Sequence, residues 1–291
     1  MRRYVLPGER VFPEGITEGP GSAFFAGSLG DGTIFRGDVA TGEVEVFLGP
    51  DGDGRQAIAG LDIDGYGRLI ACDFDGGQVF VYDLASRRLA ARRAIPAAGS
   101  LPNDVVVAGD TAYVTDSGNS VIWRLPAGPG GIGEPEVAID LSRFGAADPA
   151  YLNGIVAHPG GSLVLAASQG EGGALWRIDL ADATASQVDL KGYEFNADGM
   201  LADGDMLYGV TNRGETVEDA VFMISAARLA PDWRSGVIVG ELIDKAWDFP
   251  TTIAKVGGQL LVVCSQIGRK DAAAPPALPF EVIGTNFPTW P

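Results

Sequence analysis

Short apolar runs, separated by Gly, Asp and Asn, recur along this chain at a nearly fixed interval, and polar and apolar side chains alternate within them. One repeat reads Gly60-Leu61-Asp62-Ile63-Asp64, the turn Gly65-Tyr66-Gly67, then Arg68-Leu69-Ile70-Ala71-Cys72. A Gly-rich loop at 73–77 leads to Gln78-Val79-Phe80-Val81-Tyr82-Asp83, and a fourth stretch spans 87–95. Alternation at period two between turn residues predicts strands, because successive strand side chains face opposite sides of a sheet. The same grammar returns five more times. Its second strands are predicted at 24–27, 111–115, 162–167, 206–210 and 259–264, and its third strands at 33–38, 120–125, 174–179, 220–224 and 279–283.

A short phrase opens each repeat: Pro13-Glu14-Gly15-Ile16, Ala59-Gly60-Leu61, Asn103-Asp104-Val105, Asn153-Gly154-Ile155, Asp198-Gly199-Met200 and Thr251-Thr252-Ile253. Its second residue is small or polar and its third aliphatic. The leading residues, Glu14, Ala59, Asn103, Asn153, Asp198 and Thr251, stand 45, 44, 50, 45 and 53 positions apart, by difference of their numbers. Self-similarity at this period marks a propeller or a related repeat array. Six four-stranded repeats predict an all-β fold, a six-bladed β-propeller around a central channel, with residues 1–291 forming one domain. Such a ring must close without an exposed edge. The expectation is that 3–12 supplies the outer strand of the last blade and 280–283 its third strand. The stretch 269–278 is the one long irregular insert.

Strand direction alternates within a blade, so the six opening phrases surround one mouth of the channel. The loops that follow the second strands, beginning at Ser28, Asp73, Asp116, Ser168, Asn212 and Ser265, rise around the same mouth. Loops on a rigid scaffold carry function, which places the expected site there.

Composition narrows the partners. A net charge of -17 argues against nucleic acid, which calls for a basic stripe, and against an anionic membrane surface. The opening residues lack the apolar core of a signal peptide, and no run approaches the length of a membrane span, so the reading is a soluble cytoplasmic protein with a small-molecule substrate. Cys72 and Cys264 each end an apolar strand and are expected as buried free thiols, since cytosolic thiols stay reduced.

Glu14, Asn103, Asn153 and Asp198 are expected to converge on the channel axis. Two carboxylates and two amide oxygens form an all-oxygen set suited to one hard divalent cation. Ca²⁺ is favoured over Zn²⁺ because no thiol or imidazole is offered. Ala59 and Thr251 are the two positions that do not ligate. These phrases, with Pro102-Asn103-Asp104, Leu152-Asn153-Gly154-Ile155 and Ala197-Asp198-Gly199-Met200, resemble those of the senescence-marker-protein, gluconolactonase and luciferin-regenerating-enzyme family of six-bladed propellers. Val262-Val263-Cys264-Ser265-Gln266 and Leu278-Pro279-Phe280-Glu281-Val282 look like bacterial members. The resemblance covers nearly the whole chain. It implies one divalent metal, usually Ca²⁺, on the Glu, Asn, Asn and Asp positions, and hydrolysis of lactones.

One departure matters. The sole histidine, His158, lies in the turn His158-Pro159-Gly160-Gly161, expected on the opposite face, so a Ser-His-Asp triad is excluded and the imidazole mechanism proposed for paraoxonase-like relatives has no residue to run on. The expectation is metal-assisted hydrolysis of a lactone or ester, with Asp198 as ligand and as general base on a water. Candidate substrate contacts are Asp73, Asp116, Gln169, Asn212, Arg213 and Gln266, with Arg213 suited to an anionic or polyol substrate. Asp104 is expected to hydrogen-bond behind the ligands, and Trp123 and Trp176 to pack between blades. Two other readings use the same fold: a biosynthetic propeller running a cyclisation or elimination in that pocket, and a non-catalytic binding propeller.

Overall fold

The alternating stretches form six four-stranded antiparallel sheets in the computed structural model, which describes residues 1–50, 52–169, 173–213, 220–272 and 275–290. The innermost strands are Pro13–Glu18, Ile58–Ile63, Pro102–Ala108, Leu152–Ala157, Met200–Asp203 and Pro250–Val256, one for each of blades 1 to 6. Each blade then runs outward in chain order, except the last. Blade 6 is built from Pro250–Val256, Gln259–Cys264 and Phe280–Asn286, and the N-terminal Arg2–Leu6 completes it as the outer strand. The predicted closure is therefore present with different bounds: the outer strand ends at Leu6, and the third strand runs on to Asn286. Register pairs Leu6 with Phe280 and Arg2 with Gly284.

The opening phrase has a structural reason. In blades 1, 2, 3, 4 and 6 the inner strand slips register within the phrase, between Pro13 and Ile16, Ile58 and Leu61, Pro102 and Val105, Leu152 and Ile155, and Pro250 and Ile253. A bulge leaves its residues outside the ladder and re-aims their side chains. In blade 5 the pair Asp198-Gly199 precedes the strand and is held by Asp198 N donating to Val210 O at 2.8 Å. The second residue is glycine in four of the six phrases because neighbouring inner strands touch there. A Cβ on Gly15, Gly60, Gly154 or Gly199 would fall closer than 3.0 Å to atoms of the next blade's phrase.

The core lies between blades. Trp123 packs with Ile70 and Val79 of blade 2 and Val114 of its own blade, and Trp176 with Ile122 and Ile139 of blade 3. Tyr4 meets Phe24 edge-on at 5.3 Å, fastening the closing blade to the first. Each fully buried large apolar side chain of this kind contributes roughly 1.5–3 kcal/mol. Cys72 and Cys264 are buried and unbonded. The short 3-10 turn Ile267–Arg269 leads into the insert at 269–278, of which positions 273–274 lie outside the described residues. Among the described residues no helix is long and apolar enough to cross a membrane.

Candidate functional site

One mouth of the channel holds a cavity of about 240 Å³ whose lining includes Glu14, Ala59, Asn103, Asn153, Asp198 and Thr251, the leading residues of all six phrases. The bulges bring them together, and the blades are tied to one another at these positions. Thr251 Oγ1 donates to Glu14 O at 2.9 Å, Thr115 Oγ1 donates to Asn153 O at 2.7 Å, and Gly154 N donates to Asp198 O at 2.9 Å. Above this polar floor stand Leu29, Phe74, Tyr151, Phe249 and Ile267, with the Gln169 amide and the Tyr151 phenol as the polar groups of that level among the described residues.

The donors are fixed before any ligand arrives. Asn103 Nδ2 donates to Ser117 Oγ at 2.9 Å, and Ser117 in turn donates to Leu152 O at 2.6 Å. That leaves Asn103 Oδ1 buried with no hydrogen-bond partner. Asn153 Nδ2 donates to Gln169 Oε1 at 3.0 Å. Burial pushes the Glu14 carboxyl well above the usual carboxylate range, and the charges of Asp198 and Asp104 push it further. Asp198 is raised to about 7, mainly by burial and also by Asp104, against the lowering effect of the Asn153 side chain. The Tyr151 phenol is raised by burial, then by Asp198 and Glu14. Paired, desolvated carboxyls beside an unsatisfied amide oxygen fit an all-oxygen site for a hard divalent cation. Among the described residues no group of three or more His, Cys, Asp or Glu side chains is placed to hold a metal, so such a site would depend on the two amides.

The expected substrate contacts divide. Gln169 lines the cavity. Asp73 and Asp116 do not; both are buried at strand ends and accept backbone N–H groups from the segment entering the inner strand of their own blade. Asp73 Oδ1 takes Ala57 N at 2.8 Å, and Asp116 Oδ1 takes Leu101 N at 2.9 Å. Asp116 also takes Ser100 Oγ and the Trp123 indole N–H, at 2.8 and 3.0 Å. Gln266 is turned to the insert, accepting from Ala277 N and donating to Ala277 O, both at 2.7 Å. Asn212 and Arg213 continue the second strand of blade 5, Met206–Arg213, and Arg213 pairs with Glu241 away from the cavity.

Asp104 also differs from its expectation. It bonds none of the Glu14, Asn103, Asn153 and Asp198 side chains; its oxygens accept from Val105 N and Ile155 N, bracing the inner strand of blade 4. It faces a separate cavity at the other mouth, together with Asp62 and His158. His158 stands edge-on to Trp233 at 4.8 Å.

Two functional features escape a reading by repeats. Ser117, which orients Asn103, follows a strand-end Asp with nothing to mark it. Tyr151 had a signal: an aromatic residue precedes the inner strand in three blades, as Phe12, Tyr151 and Phe249, and all three have positive φ, 43°, 46° and 53°.

No protein-family model matches the chain, and no curated protein does. Similar solved structures include virginiamycin B lyase from Staphylococcus aureus, with a TM-score of 0.64 and 14% identity over 89% of this chain and 79% of that one. Hydrazine synthase of Kuenenia stuttgartiensis follows at 0.62 and 16%, over 89% and 75%. The Cps50 (Swd1) β-propeller domain of Myceliophteria thermophila stands at 0.61 and 13%, over 89% and 81%. At these identities the likeness concerns the propeller fold, which hosts many chemistries.

Proposed function

We propose that this chain is a divalent-cation-dependent hydrolase of a lactone or ester, with Ca²⁺ held by Glu14, Asn103, Asn153 and Asp198. The observation that carries this reading is Asn103 Oδ1, a buried acceptor left without a partner while its own amide nitrogen is anchored by Ser117. An unsatisfied buried acceptor costs about 1–3 kcal/mol unless something donates to it or coordinates it. A propeller that serves only as a binding platform has no use for that arrangement beside two desolvated carboxyls.

A cation held by these four side chains would supply Lewis acidity, polarising the substrate carbonyl and offsetting charge on its oxygen. The chain's own residues do the rest. Asn103 and Asn153 fix the floor. Asp198, a carboxylate on the cavity floor, takes a proton from the attacking water. The water oxygen bonds to the carbonyl carbon, the acyl C–O bond breaks, and the leaving oxygen takes the proton that Asp198 received. Apolar walls keep other water from this step.

The test is a panel of lactones and esters assayed after chelation and again after Ca²⁺ is restored, with products analysed from ¹⁸O-labelled water. Hydrolysis predicts activity lost on chelation, recovered with Ca²⁺, and one ¹⁸O in the carboxylate product. Chelator-resistant turnover contradicts the cation requirement. Turnover without label incorporation assigns the pocket to elimination or cyclisation instead.

A further inference from the structure

We infer that the ligand of this mouth is a compact, uncharged lactone or ester with an aromatic or alkyl face, and not a sugar lactone or an anionic ester. This rests on the hydrolase reading and narrows its substrate class.

The first argument is the split of the cavity by polarity. Leu29 and Phe74 reach it from the loops after the second strands of blades 1 and 2, and Ile267 from that of blade 6. Tyr151 and Phe249 enter at the tops of the inner strands of blades 4 and 6. Most polar groups sit on the floor; the wall adds the Tyr151 phenol and the Gln169 amide, whose carbonyl oxygen already accepts from Asn153. A polyol ring would press several hydroxyls against walls that offer them little, losing hydrogen bonds to water without replacement. A carbonyl aimed at the floor with an apolar substituent on the wall satisfies both zones.

Charge gives the second argument. Among the described residues no Lys, Arg or His lines the cavity. Arg213 is paired with Glu241, Arg269 with Asp248, and Lys270 with Asp75. Positions 170–172 and 214–219, outside the described residues, contain no basic residue in the sequence. Two carboxylates balanced by one divalent cation leave no net charge to hold an anion.

Size and backbone complete the case. At about 240 Å³ the cavity falls below the ~300–1,000 Å³ typical of sites for drug-sized ligands. Tyr151 and Phe249 keep the left-handed backbone, which bulky residues rarely adopt. Phe12 makes the same turn in blade 1, but its ring is buried against Phe280 at 5.0 Å. In blades 4 and 6 the same turn presents a ring to the cavity, and Phe249 is steadied by Phe222 at 4.5 Å. Strain of this kind persists where function uses it.

The probes are two unreactive lactams, 6-phenylpiperidin-2-one and gluconolactam, titrated calorimetrically into Ca²⁺-loaded protein. The phenyl lactam is expected to bind at least about tenfold tighter, and Phe249→Ala or Phe74→Ala to weaken it by about tenfold while Ca²⁺ binding persists. Equal or tighter binding of gluconolactam, no binding of either lactam, or loss-free binding in both variants overturns the inference. Binding preference without turnover of any lactone or ester would sink the hydrolase reading alone. Turnover of gluconolactone in preference to an aryl ester would sink the apolar substrate class alone.

Discussion

Gly154→Ala probes the ring of backbone contacts that assembles the site. A Cβ at Gly154 would lie closer than 3.0 Å to the carbonyl oxygen of Asp198, a separation real Cβ atoms do not show, and at 3.0 Å from Met200 N. The obstructing atoms are backbone, so blades 4 and 5 must part. Overpacking of this kind costs about 1–3 kcal/mol. Parting also strains the 2.9 Å bond from Gly154 N to Asp198 O, adding about 1 kcal/mol. The total, about 2–4 kcal/mol, corresponds to roughly 3–7 °C in melting temperature for a chain of this size. Gly65→Ala is the control, because a Cβ there meets nothing within 4 Å. Scanning calorimetry with Ca²⁺ and with chelator should show the loss in Gly154→Ala, together with a smaller gain from Ca²⁺ because Asp198 has moved. If Gly154→Ala melts within roughly 1 °C of Gly65→Ala, the close approach does not govern the phrase.

Ca²⁺ affinity should rise with pH between about 6 and 8. Glu14 and Asp198 are raised, Asp198 to about 7, so at the lower pH a proton must leave before the cation enters, and each displaced proton is worth up to about tenfold per pH unit. Calorimetry across that range checks it, and a flat profile contradicts it. In cation-free protein the half-buried Asp62, raised to about 6, binds its proton more tightly folded than unfolded, near 3.9. Its contribution therefore favours the fold at low pH and is lost as pH rises from about 4 to 6, by roughly 3 kcal/mol; Asp62→Asn should remove that slope from melting curves. His158→Ala should keep kcat/KM within about twofold, since it faces the other mouth, whereas Asp198→Ala should lose about 100-fold or more.

Much of the fold was legible because a propeller repeats its physics. Period-two alternation marked the strands, and the glycine in second place in four of the six phrases recorded the contact between inner strands. The closure by Arg2–Leu6 followed from the need to leave no bare edge. The floor of the mouth was legible for the same reason: bulges in register carry Glu14, Asn103 and Asn153 inward. The rim was not. Asp73 and Asp116 look in sequence like any polar loop residue, and only the fold shows them accepting backbone N–H groups. Arg213 looked free for an anion because its partner Glu241 lies 28 positions away on the outer strand of its blade. The apolar wall comes from five separated segments, and adjacency of that kind leaves no local trace.

The central claim is that the four oxygen-bearing phrases form one cation site. Calorimetric titration of Ca²⁺ into chelator-stripped protein, parent beside Asn103→Ala and Glu14→Gln, tests it most directly. The account predicts one ion per chain in the parent and at least about tenfold weaker binding in each variant. Absence of binding in the parent, or variants that bind as the parent does, would contradict it.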